Sequence, residues 1–354
     1  MSRFFSEKYA KLVPYTPGEQ PRDMQYVKLN TNESPFPPSA KAIEYAAAQA
    51  KLLQLYSDPT CDALVSKAAD YFGVAKDEIL FTNGSDEILN FAFMAFCDAD
   101  HPAVFPDITY GFYKVFADLN GVPYETIPLK DDFSIDPDDY IGLNKTIFIA
   151  NPNAPTGLAL PIYDIERIVA VNPDSVVVID EAYVDFGGES ALSLIHKYDN
   201  LLVTQTFSKS RSMAGARLGF GAGCRELIRD LNTIKYSTNP YNVNRMTMLA
   251  GLGALEDDDY FHSCCAKIIE NRAWTTQQLR GMGWTVIDSM TNFVFAKHPS
   301  ISGGEIYKKL RENGVLVRHF DSERLTDYNR ITIGSMEQMQ IFIQTIQKIT
   351  GDNA

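Results

Sequence analysis

The run Ser175-Val176-Val177-Val178-Ile179-Asp180 constrains this chain most. Consecutive β-branched apolar residues ending in a carboxylate read as a strand buried on both faces, and such strands belong to parallel sheets covered by helices on each side. Short apolar runs at 78–82, 103–106, 145–150, 201–206 and 217–222 repeat the signal, with helical patterns at 39–55, 62–72, 85–97, 112–119 and 162–171 among them. The alternation predicts an α/β fold with a mostly parallel central sheet flanked by helices. After about Tyr241 the pattern changes to long helices at 243–256 and 261–282. Short strands at 284–287, 292–296, 315–317 and 330–333 follow, with helices at 304–313 and from 336. That is a smaller α+β unit. The expected division is a proline-rich arm over 1–35, a large domain over 36–240 and a small domain over 241–354.

Composition excludes some functions. A formal net charge of -13 argues against a general nucleic-acid partner. No apolar window approaches ~20 residues, so no membrane span is expected. Met1-Ser2-Arg3-Phe4-Phe5-Ser6-Glu7 lacks the apolar core of a signal peptide. The five cysteines are an odd number without a CxxC, which predicts reduced thiols and no structural zinc. Together these features predict a cytoplasmic protein. The run Glu256-Asp257-Asp258-Asp259 reads as a solvated helix end and no more than a weak metal candidate; no metal site is expected.

A single lysine stands in the polar turn Ser208-Lys209-Ser210-Arg211 between the runs 201–206 and 217–222. Held between buried strands, a lysine can be desolvated and act as a nucleophile; read alone, it is equally a solvated turn residue. The residues at the C-terminal strand ends, where open α/β sheets bind ligands, decide between these readings. Gly84-Ser85-Asp86 opens a helix, and its free N–H groups suit a phosphate. Ser208 and Arg217 can add donors to that phosphate. Lys209 can condense with an aldehyde. Asp180 can pair with a protonated ring nitrogen, Tyr183 and Asn153 can hydrogen-bond a phenolate oxygen, and Tyr110 can stack on a flat ring. Singly, Asp180 is a strand-end cap, Gly84-Ser85-Asp86 an N-cap, Asn153 part of a turn and Tyr110 a packing residue. Jointly they describe a site for pyridoxal 5′-phosphate.

These motifs resemble the fold-type I, class-II pyridoxal-phosphate aminotransferases over nearly the whole chain. Gly84-Ser85-Asp86-Glu87, the loop 153–157, Asp180-Glu181-Ala182-Tyr183 and Ser208-Lys209 with Arg217 carry the resemblance. Pro14-Tyr15-Thr16-Pro17-Gly18, the segment 29–35, Pro240-Tyr241-Asn242-Val243-Asn244, Val317-Arg318 and Asn329-Arg330-Ile331-Thr332-Ile333-Gly334 narrow it to the histidinol-phosphate aminotransferases. The family's asparagine before Pro-Thr-Gly is Ala154 here, so Asn153 is expected to reach the cofactor oxygen instead. Tyr56, by resemblance, reaches the cofactor phosphate of a neighbouring subunit, which implies a homodimer.

The resemblance further implies transamination of L-histidinol phosphate with 2-oxoglutarate, giving imidazole-acetol phosphate and glutamate in histidine biosynthesis. Lys209 would be the catalytic base. Arg330 would grip the donor's phosphate and then the oxo acid, Arg318 would assist, and Tyr15, Asn32 and Glu33 would line the substrate entrance. Without the family, Arg330 is a surface arginine at a strand start. Three alternatives stand beside this reading: an aromatic or broad-specificity aminotransferase, a threonine-phosphate decarboxylase on the same fold, and a non-enzymatic cofactor-binding regulator. The last normally adds a DNA-binding domain, for which this chain has no basic segment.

Overall fold

The computed structural model describes residues 2–351. The arm ends in strand β1 (Val27–Lys28), followed by helices α1 (Ala40–Gln49) and α2 (Asp62–Phe72). Strand β2 (Ile79–Thr82) leads into α3 (Ser85–Phe96), and β3 (Ala103–Pro106) into α4 (Phe112–Asn120). Then come β4 (Tyr124–Ile127), β5 (Thr146–Ala150), α5 (Ile162–Val171), β6 (Val177–Asp180), β7 (Leu201–Thr206) and β8 (Gly219–Gly223). Helices α6 (Arg225–Thr238), α7 (Arg245–Leu255) and α8 (Asp258–Gly281) precede β9 (Thr285–Ile287), β10 (Phe293–Lys297) and α9 (Gly303–Glu312). Strands β11 (Val315–Leu316), β12 (Arg318–His319) and β13 (Asn329–Thr332) and helix α10 (Met336–Thr350) complete the chain.

The central sheet has seven strands in the order β2-β8-β7-β6-β5-β3-β4. Strand β8 is antiparallel to both neighbours, and every other pair is parallel. Side chains alternate between its two faces, as the strand pleat requires. Ile147, Ile149, Val177, Ile179 and Val203 enter a core with α2, α5 and α7. Phe148, Val178 and Leu202 enter another core on the opposite face with α3, α4 and α6. The buried parallel reading of 175–180 is thereby met.

A second sheet, β12-β13-β10-β9, is antiparallel throughout and packs with α8, α9 and α10 around its own core. Strand β1 pairs in parallel with β11, and Leu29 is buried in that same core. The arm thus ends as part of the small unit. Helix α7, which the division at 241 assigns to the small domain, instead contributes Met248, Ala250 and Leu255 to the core of the large one.

Helix α6 and strands β1, β4 and β12 lie outside the sequence reading. Helix α6 buries Leu227, Ile228, Leu231 and Lys235, a one-faced pattern within a polar segment. Edge strand β4 is half exposed and carries little apolar signal. The 39–55 helix stops at Gln49 and tightens into a 3-10 turn over Ala50–Leu52, with Ala42 its one buried side chain. The acidic run is less solvated than its composition suggests: Glu256 accepts from Tyr45 Oη at 2.8 Å and Asp258 from Tyr71 Oη at 2.5 Å. No helix among the described residues is long and apolar enough to cross a membrane.

Candidate active site

Strands β5, β6 and β7 carry their chains to one sheet edge, and the connections leaving that edge bring Pro152, Asp180, Tyr183 and Lys209 to a single cavity of about 350 Å³. A second, outer cavity of about 680 Å³ opens beside it towards the small unit. Thr31, Tyr110, Ala154, Tyr183 and Lys209 line both, so the lysine stands on the shared boundary.

At the floor of the inner cavity Asp180 is buried. Tyr113 Oη donates to its Oδ2 at 3.0 Å and Thr204 Oγ1 to its Oδ1 at 3.4 Å. Burial pushes its carboxyl up to about 6 despite these donors. Among the described residues no basic side chain pairs with it. A buried carboxylate held by neutral donors alone is poised for a cation brought by a ligand.

The other end of the cavity suits an anion. Helix α3 starts at Ser85 behind Gly84 (φ +80°), which offers no side-chain cap, so the N–H groups of Ser85 and Asp86 remain available. A Cβ on Gly84 would lie 2.6 Å from Arg217 Nη2, and one on Gly219 would lie 2.4 Å from the Ser85 nitrogen. Both glycines permit the close approach that shapes this cradle. Arg217 Nη2 bonds Asp86 Oδ2 at 2.7 Å, and Tyr110 Oη donates to Asp86 Oδ1 at 2.6 Å. The Arg217–Asp86 pair is about 40% exposed, so it contributes only ~0–1 kcal/mol and Arg217 can turn to a phosphate. Burial, assisted by Asp86, raises the Tyr110 phenol well above its usual range. Ser208 is buried and lines the same cavity.

Lys209 Nζ lies 3.5 Å from the Thr31 carbonyl and 5.8 Å from the centre of the Tyr183 ring. Its loop is tied down around it. Ser210 Oγ donates to Asp185 at 2.5 Å, Ser212 Oγ bonds Ser34 Oγ at 2.8 Å, and buried Arg211 donates to the Ala254 carbonyl at 2.9 Å. Tyr183 Oη accepts from Asn32 Nδ2 at 2.9 Å.

Asn153 departs from the expectation. Its Oδ1 accepts from Thr109 Oγ1 at 2.8 Å, and its Nδ2 donates to the Ile108 carbonyl and Thr156 Oγ1. The amide is spent on holding neighbouring loops together, and Pro152 and Ala154 face the inner cavity in its place. Asn32 lines the outer cavity beside Thr31, but it is 1% exposed and its amide is already bonded to Thr332 and Tyr183. Tyr56 lies outside both cavities, 80% exposed and stacked on Tyr241 at 4.7 Å.

The outer cavity holds the remaining candidates. Arg318 and Arg330 face each other across β12 and β13, a like-charge pairing that needs an anion to offset it. Arg330 Nη2 donates to the Asn30 carbonyl at 3.1 Å, while its Nε is buried without a partner. Burial lowers the Arg330 pKa, and Arg318 adds to that. Arg318 reaches the Thr16 carbonyl at 3.3 Å, and Tyr15 stacks on Phe112 at 4.3 Å. Burial pushes the Glu33 carboxyl up, but Lys28 at 2.6 Å outweighs it and the net shift is down. Glu33 lines the inner cavity, not the outer. Tyr113 and Thr204 were missed in the sequence. Tyr113 follows Tyr110 by one helical turn, which is the signal that could have found it.

Residues 24–346 match the family described as aminotransferase class I and II. A histidinol-phosphate aminotransferase of Brachyspira hyodysenteriae is 48% identical over 352 residues, covering 99% of each chain. A histidinol-phosphate aminotransferase 2 of Dechloromonas aromatica is 47% identical over 358 residues, covering 99% of this chain and all of that one. The crystal structure of a histidinol-phosphate aminotransferase from Sinorhizobium meliloti in complex with pyridoxal-5'-phosphate superposes with a TM-score of 0.88 at 22% identity over 99% of each chain.

Proposed function

The chain belongs to the class I and II aminotransferases, and within that family we propose that it transfers the amino group of L-histidinol phosphate to 2-oxoglutarate. The products are imidazole-acetol phosphate and glutamate, and the cofactor is pyridoxal 5′-phosphate. The observation that carries this reading is the place of Lys209, on the wall shared by an anion- and cation-binding inner cavity and an outer cavity with two opposed arginines.

The residues present fit the cofactor. The open start of α3, Ser208 and Arg217 suit its phosphate, and buried Asp180 suits its ring nitrogen. When bound, pyridoxal phosphate supplies an aldehyde carbon for the amine and a ring that draws electrons from the substrate carbon. Asp180 keeps a positive charge at the cavity floor, because ionisation of its buried carboxyl is favoured once a cation sits against it. Tyr183 and Tyr110 line the same cavity; Tyr183 would serve the ring oxygen and Tyr110 would form a wall against the ring.

Lys209 Nζ, on the boundary of the two cavities, would be the base that takes the proton from the donor's amine-bearing carbon. The donor has no α-carboxylate, so Arg330 and Arg318 grip its phosphate, and the same pair then takes a carboxylate of 2-oxoglutarate. Tyr15 with the arm excludes water from the mouth. Exposed Leu53, Leu55, Tyr56 and Tyr241 support a homodimer in which Tyr56 reaches the partner's cofactor phosphate. Five free thiols suit the cytoplasm.

A substrate panel tests the reading. L-histidinol phosphate, aromatic amino acids and O-phosphothreonine are each supplied with 2-oxoglutarate while glutamate and carbon dioxide are followed. Glutamate formation fastest from L-histidinol phosphate, without carbon dioxide, is the expected result. Carbon dioxide release from O-phosphothreonine would instead make the protein a decarboxylase. A higher kcat/KM with aromatic amino acids would make it an aromatic aminotransferase.

A further inference from the structure

Asn32 is bonded at every polar atom it has. Its backbone N–H donates to Thr332 Oγ1 at 3.0 Å, and its carbonyl accepts from Asn292 Nδ2 at 3.0 Å. Its side-chain Oδ1 accepts from Thr332 Oγ1 at 3.0 Å, and its Nδ2 donates to Tyr183 Oη at 2.9 Å. The backbone takes φ +56°, a left-handed conformation that asparagine tolerates better than most residues. A buried residue held in such a conformation by four bonds is over-determined, a pattern that clusters at functional sites.

The direction of these bonds carries chemical information. Thr332 has one hydroxyl hydrogen. Its oxygen accepts the Asn32 N–H, and its own hydrogen points to Asn32 Oδ1. That fixes the amide with its nitrogen towards Tyr183. An amide nitrogen only donates, so the Tyr183 oxygen must accept. The phenolic hydrogen of Tyr183 is then excluded from the Asn32 side and turns into the cavity that Tyr183 shares with Lys209.

We infer that Asn32 is a positioning residue that makes Tyr183 an obligate hydrogen-bond donor to the cofactor's ring oxygen. The inference rests on the cofactor reading above and adds to it a residue that acts on the ring oxygen through Tyr183. A fixed donor at that oxygen favours its deprotonated form and so lowers the pH at which the lysine-bound cofactor changes colour.

The test is a pH titration of the visible absorbance of the holoenzyme. Asn32→Asp keeps the shape and the tolerance for positive φ but replaces the amide donor with an acceptor. Tyr183 then turns its hydrogen to the carboxylate, and the midpoint is expected to rise by about half a unit or more. A new charge alone could also raise it, so the substitution is repeated in Tyr183→Phe. If Asn32 acts through the hydroxyl, the shift largely disappears there. Thr332→Val, which frees the amide to turn, serves as the second variant and is expected to give a smaller rise with the same dependence on Tyr183. An unchanged midpoint in both single variants, or a shift of equal size without the Tyr183 hydroxyl, would overturn the inference. Absence of any visible band in the unsubstituted protein would instead defeat the cofactor reading itself.

Discussion

Tyr113 donates its hydroxyl hydrogen to Asp180 Oδ2 at 3.0 Å, and both side chains are buried beneath the inner cavity. The bond favours the ionised carboxylate, which burial alone disfavours. Tyr113→Phe leaves the packing intact and removes this donor. A hydrogen bond to a charged group contributes about 1.5–3 kcal/mol, so cofactor affinity should fall roughly 10- to 100-fold. Titration of the apoprotein with pyridoxal phosphate measures it, and an unchanged Kd would remove Tyr113 from the site.

Asp180 and Glu181 set a pH dependence of the apoprotein. Burial raises the first from 3.8 to about 6 and the second from 4.5 to about 7. Between about pH 4 and pH 7 the folded chain therefore holds more protons than the unfolded one. The stabilisation from these two groups is fully present below pH 4 and lost as pH rises through that window. Asp180→Asn removes one ionisation, so at pH 8 the apoprotein should gain on the order of 1–3 kcal/mol while cofactor affinity collapses. Urea unfolding at pH 8 measures the gain, and a variant less stable than the parent would contradict it.

Arg330→Met should separate binding from stability. The arginine has an unpartnered Nε and faces Arg318 across the strands, so its loss should leave the Tm unchanged or higher. Losing a charge-assisted grip should raise KM for both the amino donor and 2-oxoglutarate, with kcat/KM down about 100-fold. Equal KM values in variant and parent would move the anion site elsewhere.

Gly219→Ala places a methyl group 2.4 Å from the Ser85 nitrogen. The start of α3 must shift, at a cost of about 1–3 kcal/mol, and the phosphate cradle shifts with it. Thermal unfolding and the Kd for inorganic phosphate should both worsen. A variant with unaltered phosphate affinity would show that the α3 start is not the anion site.

Legibility in the sequence followed sequence distance. The Ser208-Lys209 turn, Asp180 with Tyr183 and the Gly84-Ser85-Asp86 turn each lie within a few residues of a readable strand end, and the structure gathers them around one cavity. Asn153 misled because its neighbours in the chain say nothing of Thr109 and Ile108, which consume its amide. Asn32 lines the outer cavity as its segment suggests, but its bonds to Thr332 and Asn292 were not legible, because those residues lie at the other end of the chain. Helix α6 was overlooked because its polar residues hide a narrow apolar face. Tyr56 has no neighbour in its own site to announce it: it is exposed and stacked on Tyr241, outside both cavities.

Amino transfer from L-histidinol phosphate depends on Lys209. This dependence is tested by following glutamate formed from L-histidinol phosphate and 2-oxoglutarate with the parent protein and Lys209→Ala side by side. Steady glutamate production by the parent and a loss of at least about 10⁴-fold in the variant, the upper range of a positioned general base, are expected. Comparable glutamate production by the two proteins would contradict it.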